Sequence, residues 1–152
     1  MHLATYIGLL HAAEQTLAES YRQVADGHRD EADVAHMCRQ LGQQCDGHVK
    51  ALWPIAERYG EHREEEPERL HAQGLSSTRP GGVGLLRDLQ DLYLLASFVD
   101  ITWTAVGQAG QGARDEGLVD TVGRCEQETA KQLAWLQTRL KAAAPQALLV
   151  AS

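Results

Sequence analysis

The 152-residue sequence lacks most of what secreted, membrane-spanning and nucleic-acid-binding proteins require. Three cysteines, an odd and low number, give no disulfide framework and favour the reducing cytosol. No apolar run approaches the roughly 20 residues of a membrane span, and no basic segment precedes the apolar start. Basic residues are not concentrated anywhere, and the net charge is −7. We therefore expect a cytoplasmic, single-domain protein over residues 1–152, with no membrane or nucleic-acid partner.

Two catalytic or ligand-binding patterns are also missing. The stretch "GGVG" at 81–84 has neither the preceding strand nor the following Lys and Ser/Thr of a phosphate-binding loop. No Ser-His-Asp arrangement can be argued from the spacing of these residues. The sequence therefore offers no familiar enzyme signature, and any site must be found in the way the chain folds.

Strand-forming residues are scarce, whereas the helix formers Ala, Leu, Gln, Glu and Arg dominate. Apolar residues recur at steps of three, four and seven, the spacing of one face of a helix. This spacing predicts four helices, at about 3–25, 30–59, 83–108 and 113–143, with Asp30 capping the second helix. Residues 61–82 form a polar connection, with one short helix from Pro67 to just before Gly74. The connection is long enough to cross a bundle from end to end, as ferritin-like folds require between helices 2 and 3.

The third predicted helix is apolar on two faces. Leu94, Phe98 and Ile101 lie opposite its main apolar stripe. A helix that is apolar on both sides is expected to be buried on both sides. In a chain of this size the second face most simply contacts another subunit, so we expect a homodimer through this helix.

Three polar residues interrupt the apolar stripes of the first helix pair. Glu14 lies in the middle of the first stripe, and Cys45 and His48 lie in the middle of the second. An antiparallel turn near residue 30 places Glu14 level with Cys45 and His48, and His11 lies one turn before Glu14. A buried carboxylate is costly unless it is paired, protonated or bound to a metal. Glu14 is therefore the most informative residue in the chain.

These residues resemble a known family. "AAEQTLAESYRQVA", followed by His48 in "CDGHVKAL", is similar to the first helix pair of ferritin-like di-iron proteins, especially the small bacterial stress-associated members. "DLYLLASFVD" and "CEQETAKQLAWL" resemble the third and fourth helices of that family. The resemblance implies an all-α, ferritin-like four-helix bundle with a long crossover between helices 2 and 3. It also implies an iron-type site between the helices and a role in iron or oxidative-stress chemistry.

The sequence departs from that family at the ligands. Cys45 stands where the helix-2 motif has Glu, although Glu14 and His48 are kept. Adding 80 to positions 14, 45 and 48, as an internal two-fold requires, gives Leu94, Cys125 and Glu128. Leu94 cannot bind a metal, and Asp91 would replace it only if the third helix were rotated. The second half-site is therefore predicted to be damaged.

The candidate metal ligands are Glu14, His48, Cys45, Glu128, Cys125, Asp91 and His11. They include too few carboxylates for a bridged di-iron centre, and their mixture suits one softer ion, such as zinc or copper, better. The leading hypothesis is a ferritin-like protein with this altered metal site, bound to iron, zinc or copper, that handles oxygen or peroxide.

Two alternatives remain open. One is a non-catalytic bundle without metal, in which Glu14 pairs with His48 or Tyr93 and the protein is structural, binding or stress-protective. The other is a thiol redox protein, in which Cys45 is ionised by His48 or forms a reversible disulfide with Cys125. Trp103 and Trp135 are interpreted as core or interface packing.

Overall fold

The computed structural model describes residues 2–60 and 73–150. They form four long helices, α1 (Leu3–Gly27), α2 (Ala32–Tyr59), α3 (Gly81–Gly112) and α4 (Glu116–Pro145). A short π-helical segment, Gln146–Val150, follows α4 and packs on α3 and α4. No strand occurs among the described residues. No helix among them is long and apolar enough to cross a membrane.

The predicted helices agree with the observed ones to within four residues at every end, but the N-terminal cap of α2 differs from the prediction. Glu31, not Asp30, is the N-cap residue of α2, and its side chain makes no capping hydrogen bond. At the start of α4 Asp115 does cap, since its side chain accepts a hydrogen bond from the Leu118 amide. The short helix predicted from Pro67 falls in residues 61–72, outside the described part of the chain.

α1 packs most extensively on α2, and the two helices are antiparallel. Glu14 of α1 contacts His48 of α2, and Asp26, twelve residues further along α1, pairs with Arg39, nine residues back along α2. The contacts therefore advance along one helix as they retreat along the other. The antiparallel arrangement predicted for the first two helices is confirmed.

α3 is antiparallel to α1 and to α4. Glu14 of α1 meets Trp103, whereas His28, just beyond α1, meets Asp88 near the start of α3. α4 packs closely on α3 at Gly107, where an added Cβ would lie 2.8 Å from a Val122 methyl group. Since α2 and α3 are both antiparallel to α1, they run in the same direction.

The segment of residues 73–80, which leads into α3, follows α1. The Leu75 amide donates a 3.4 Å hydrogen bond to the Ser20 hydroxyl, and Thr78 lies against Gly27, where any side chain would collide with it. The Arg79 amide then donates to Asp88 of α3 at 3.0 Å. This segment therefore runs along the last two turns of α1 towards the start of α3.

The core lies between the four inward stripes. The apolar stripe that the spacing predicts on α1 is buried: Ile7, Leu10, Leu17, Tyr21 and Val24 are fully buried, and only Leu3 at its start is half-buried. Burial of each large apolar side chain contributes roughly 1.5–3 kcal/mol, so these stripes supply most of the stability.

The second apolar face of α3 is not covered within one chain. Leu94 is 68% exposed and Ile101 is 63% exposed. The internal two-fold at an offset of 80 residues is wrong for this helix, because it equates exposed Leu94 with buried Glu14. The register of α3 is set instead by Trp103, which lies fully buried opposite Glu14.

Candidate functional site

Glu14 is fully buried at the centre of the bundle, beside His48. Its Oε2 lies 3.0 Å from His48 Nδ1, and its Oε1 accepts a 3.1 Å hydrogen bond from Trp103 Nε1. Both carboxylate oxygens are therefore satisfied by side chains from two other helices. The prediction that an acidic side chain is sequestered beside the α2 imidazole is confirmed.

His48 lies between two carboxylates. Opposite Glu14, its Nε2 is 2.9 Å from Glu128 Oε1 on α4. Both ring nitrogens can donate hydrogen bonds only when the imidazole is protonated. Burial by itself lowers the pKa of His48. The hydrogen bond to Glu14 and the negative charge of Glu14, followed by those of Glu128, have the opposite and larger effect, so the pKa of His48 is raised. The geometry therefore favours an imidazolium held by two carboxylates.

Glu128 connects this cluster to solvent and to further amides. Its side chain is 45% exposed, and its Oε2 accepts a 3.0 Å hydrogen bond from Gln44. Gln132 Nε2 donates to the Gln44 carbonyl at 2.7 Å, and the buried Tyr21 hydroxyl donates to Gln132 at 3.0 Å. Burial raises the pKa of Tyr21 well above its ordinary value, so the hydroxyl stays protonated as a donor.

We call Glu14, His48 and Glu128, together with Trp103, Gln44, Gln132 and Tyr21, the core network. The hydroxyl of Tyr21 and the amides of Gln132 and Gln44 donate in sequence towards Glu128. His48 donates to both carboxylates, and Trp103 donates to Glu14, so each carboxylate accepts a hydrogen bond from two sides. A fully satisfied buried network of this kind stabilises one arrangement of the helices around it.

Cys45 touches the core network through Gln132 and Glu14. Its sulfur lies 3.7 Å from Gln132 Nε2 and 3.8 Å from Oε1. Burial, followed by the negative charge of Glu14, raises the pKa of Cys45 well above its usual value, and burial likewise raises the pKa of Cys125 to about 12. Both are free thiols in the described structure. Since thiolates are the reactive form, these surroundings disfavour thiol chemistry.

Two predicted ligands lie elsewhere. Asp91 forms a 3.0 Å ion pair with Arg79, so α3 is not rotated to bring Asp91 beside Glu14. The His11 ring packs against that of Trp53, with 5.6 Å between centroids. The structure therefore brings together Glu14, His48 and Glu128 of the predicted set, with the buried Cys45 next to them.

Asp88 forms a second buried polar centre that the sequence did not single out. It is fully buried, and its carboxylate lies 2.7 Å from His28 Nε2. It also accepts hydrogen bonds from the Arg79 amide at 3.0 Å and the Arg79 guanidinium at 2.8 Å. Asp88 thereby fastens the 73–80 segment to the ends of α1 and α3.

The core network does not have the geometry of a metal centre. Within residues 2–60 and 73–150, no group of three or more His, Cys, Asp and Glu side chains is arranged to hold a metal ion. Glu14 and Glu128 face opposite nitrogens of one ring and do not converge on a common point. An ion placed in line between nitrogen and oxygen would need about 4 Å for its two bonds, more than the 3.0 and 2.9 Å separations observed. The donors as placed fit hydrogen bonding.

Sequence reasoning missed Trp103 and Gln132 as members of the network. Tyr93, the partner considered for Glu14, is not its hydrogen-bond partner in the described structure; the Trp103 indole takes that position. A signal was present, because an indole N–H in the middle of a buried stripe needs an acceptor. Gln132, fully buried between Thr129 and Leu136 at helical spacing, is likewise a polar residue on an inward face.

Comparison with protein-family models, with curated proteins and with solved structures found no match to this chain. Its function is therefore inferred from the geometry of the core network.

Proposed function

We propose that this protein is a non-catalytic, ferritin-like helical bundle in which an ionic network occupies the position of a metal centre. The observation that carries the proposal is the bonding of His48, each of whose ring nitrogens faces a carboxylate at hydrogen-bond distance. The Glu14 oxygens are also both engaged, so the centre needs no ion to compensate its buried charge.

The ferritin-like arrangement is supported by helix direction. α2 and α3 run in the same direction, as the two helices joined by the long crossover of a ferritin-like bundle do. Residues 73–80 run beside α1 in the direction of α1, towards the end of the bundle where α3 begins, and this agrees with such a crossover.

The burial of Glu14 and His48 supports a role without catalysis. Glu14 is fully buried and His48 is 2% exposed, so a substrate reaches Glu14 only if the helices separate and reaches His48 only if the Glu128 side chain moves away. The thiols nearby are buried and have raised pKa values, which makes them poor nucleophiles. The protein would then act through its surface, as a structural, binding or stress-protective component.

The decisive experiment is elemental analysis of tag-free protein purified from its native host without chelator. We expect iron, zinc and copper far below one ion per chain, and an unchanged melting temperature after EDTA treatment. Metal-dependent domains are destabilised by chelators. Stoichiometric metal whose removal lowers the melting temperature would overturn the proposal.

The alternative is the altered metal site favoured by the sequence, with iron, zinc or copper handling oxygen or peroxide. One observation keeps it worth testing: the Glu128 side chain is half exposed, and its movement would uncover His48 Nε2. On this alternative, Glu128→Ala and His48→Gln both abolish stoichiometric metal, whereas Glu126→Ala, at a half-buried position two residues away that bonds to Thr104 and not to the core network, does not.

A further inference from the structure

α3 carries a line of exposed side chains along its outer face. Leu94 and Ile101 are more than three-fifths exposed, and Phe98 between them is half-buried. Their spacing of four and three residues aligns them on one side of the helix. With flanking exposed residues the line consists of Val83, Arg87, Gln90, Leu94, Phe98, Ile101, Ala105 and Gln108. We call this set the α3 stripe.

The α3 stripe is nearly free of charge. Arg87 is its one charged member, on a helix that lies wholly inside the described residues. The chain as a whole carries a net charge of −7, so a face about 38 Å long, from Val83 to Gln108, with one charged member and the Arg79-paired Asp91 at its border, departs from the rest of the surface. A partner with a strongly charged surface would gain no ion pairs along most of it.

The α3 stripe is complementary to itself when reversed. A two-fold axis between Ser97 and Phe98 places Leu94 of each copy opposite Ile101 of the other. The same axis pairs Gln90 with Ala105, so a long side chain meets a short one. Arg87 falls opposite Gln108, and no like charges are opposed. Closed two-fold dimers need a patch with this property, because the same surface is used on both copies, so that when one residue meets a second on the partner, that second residue also meets the first.

A surface cavity adjoins the α3 stripe beside Phe98, close to this two-fold axis. It has a volume of about 350 Å³ and is lined by Asp91, Leu94, Leu95 and Phe98 of α3 and by residues 73–77 and Arg79 of the segment that leads into α3. A two-fold axis beside Phe98 brings the second copy's Phe98 to this cavity. The apolar side chains of Leu94, Leu95 and Phe98 give this ring one apolar wall, and the Arg79 guanidinium of the mainly polar opposite side can lie against its face.

We infer that the protein forms a two-fold symmetric homodimer through antiparallel contact of the two α3 stripes, centred between Ser97 and Phe98. This interaction involves none of the core network and goes beyond the function proposed above. A band about 38 Å long and one helix wide covers roughly 400 Å² per copy, or about 800 Å² in total, which is below the roughly 1,200 Å² of stable specific interfaces and in the range of weak, transient ones. The dimer is accordingly expected to dissociate in the micromolar range.

Sedimentation velocity of the full chain over a range of concentrations tests the oligomeric state. We expect a reversible monomer–dimer equilibrium in wild type. Leu94→Asp should weaken it on the order of 100-fold, because each dimer would bury two unpaired charges. Ile101→Glu should have the same effect. Leu149→Asp, at a site 84% exposed on the C-terminal segment, is the matched control and should leave the equilibrium unchanged.

Cysteine cross-linking tests the register. Ser97→Cys lies beside the axis, so its two copies should form an intermolecular disulfide on mild oxidation. Gln108→Cys is the control, because in this register its two copies are about 30 Å apart along the helices. Gln108 is exposed and Ser97 is half-buried, and far-ultraviolet circular dichroism verifies that both variants fold.

Two results would overturn the inference. One is a wild-type chain that stays monomeric at high micromolar concentration, which would leave the α3 stripe to a different partner. The other is a dimer that survives Leu94→Asp or links through Gln108→Cys but not through Ser97→Cys, which would place the interface or register elsewhere.

Discussion

Replacement of Glu14 by alanine is the most demanding test of the core network. The substitution removes the acceptor for His48 Nδ1 and for Trp103 Nε1 in a fully buried place. His48 keeps only Glu128, which is half exposed, and the Trp103 indole loses its hydrogen bond. The loss therefore combines a broken charge-assisted hydrogen bond with an unsatisfied buried donor.

The magnitude follows from these two contacts. A hydrogen bond to a charged group contributes about 1.5–3 kcal/mol, and a buried donor left without a partner costs about 1–3 kcal/mol. We expect Glu14→Ala to lower the free energy of unfolding by about 3–5 kcal/mol, the usual cost of removing one partner of a buried pair. At 2–4 °C per kcal/mol for a domain of this size, the melting temperature should fall by about 6–20 °C.

Urea unfolding followed by circular dichroism, with EDTA present throughout, measures this loss. Glu14→Gln should cost less, because its amide oxygen can still accept one of the two hydrogen bonds. Glu19→Ala, an exposed change on the same helix that removes only a surface pair with Arg22, should have little effect. A Glu14→Ala loss below about 0.5 kcal/mol, typical of surface substitutions, would refute the reasoning.

Three further predictions follow from other contacts. Because the pKa of His48 is raised in the folded protein, its stabilising contribution is fully present below about pH 6.5 and is lost as the pH rises through the folded pKa. The difference in free energy of unfolding between wild type and His48→Gln, measured by urea titration, should therefore shrink towards alkaline pH. A difference that grows would contradict this. Cys45 should resist an aromatic disulfide reagent until the chain unfolds, because burial raises its pKa; rapid labelling of native protein would contradict the inert thiol. The Arg79 amide donates to Asp88, so Asp88→Ala should remove its protection from hydrogen exchange. Asp91→Ala loses only a contact with the Arg79 guanidinium and should leave this protection unchanged. Equal protection in both variants would rule out this role of Asp88.

The sequence by itself determined the helices and the buried half of the site. Spacing of apolar residues is a local property, so α1 to α4 could be located without knowing their partners. Glu14 and His48 were identified because each is polar on an otherwise apolar stripe, and a short antiparallel connection between α1 and α2 fixes their relative height.

Only the tertiary structure decided how α3 and α4 meet that pair. An assumed offset between the two halves placed Leu94 at the level of Glu14, whereas packing places Trp103 there and leaves Leu94 exposed. Side-chain spacing gives the face of a helix but not its axial shift against a helix from the other half of the chain. That shift is set by contacts such as the close approach at Gly107. With this shift Glu128 lies beside His48. Residues that the sequence alone suggested as metal ligands therefore form a network of hydrogen bonds.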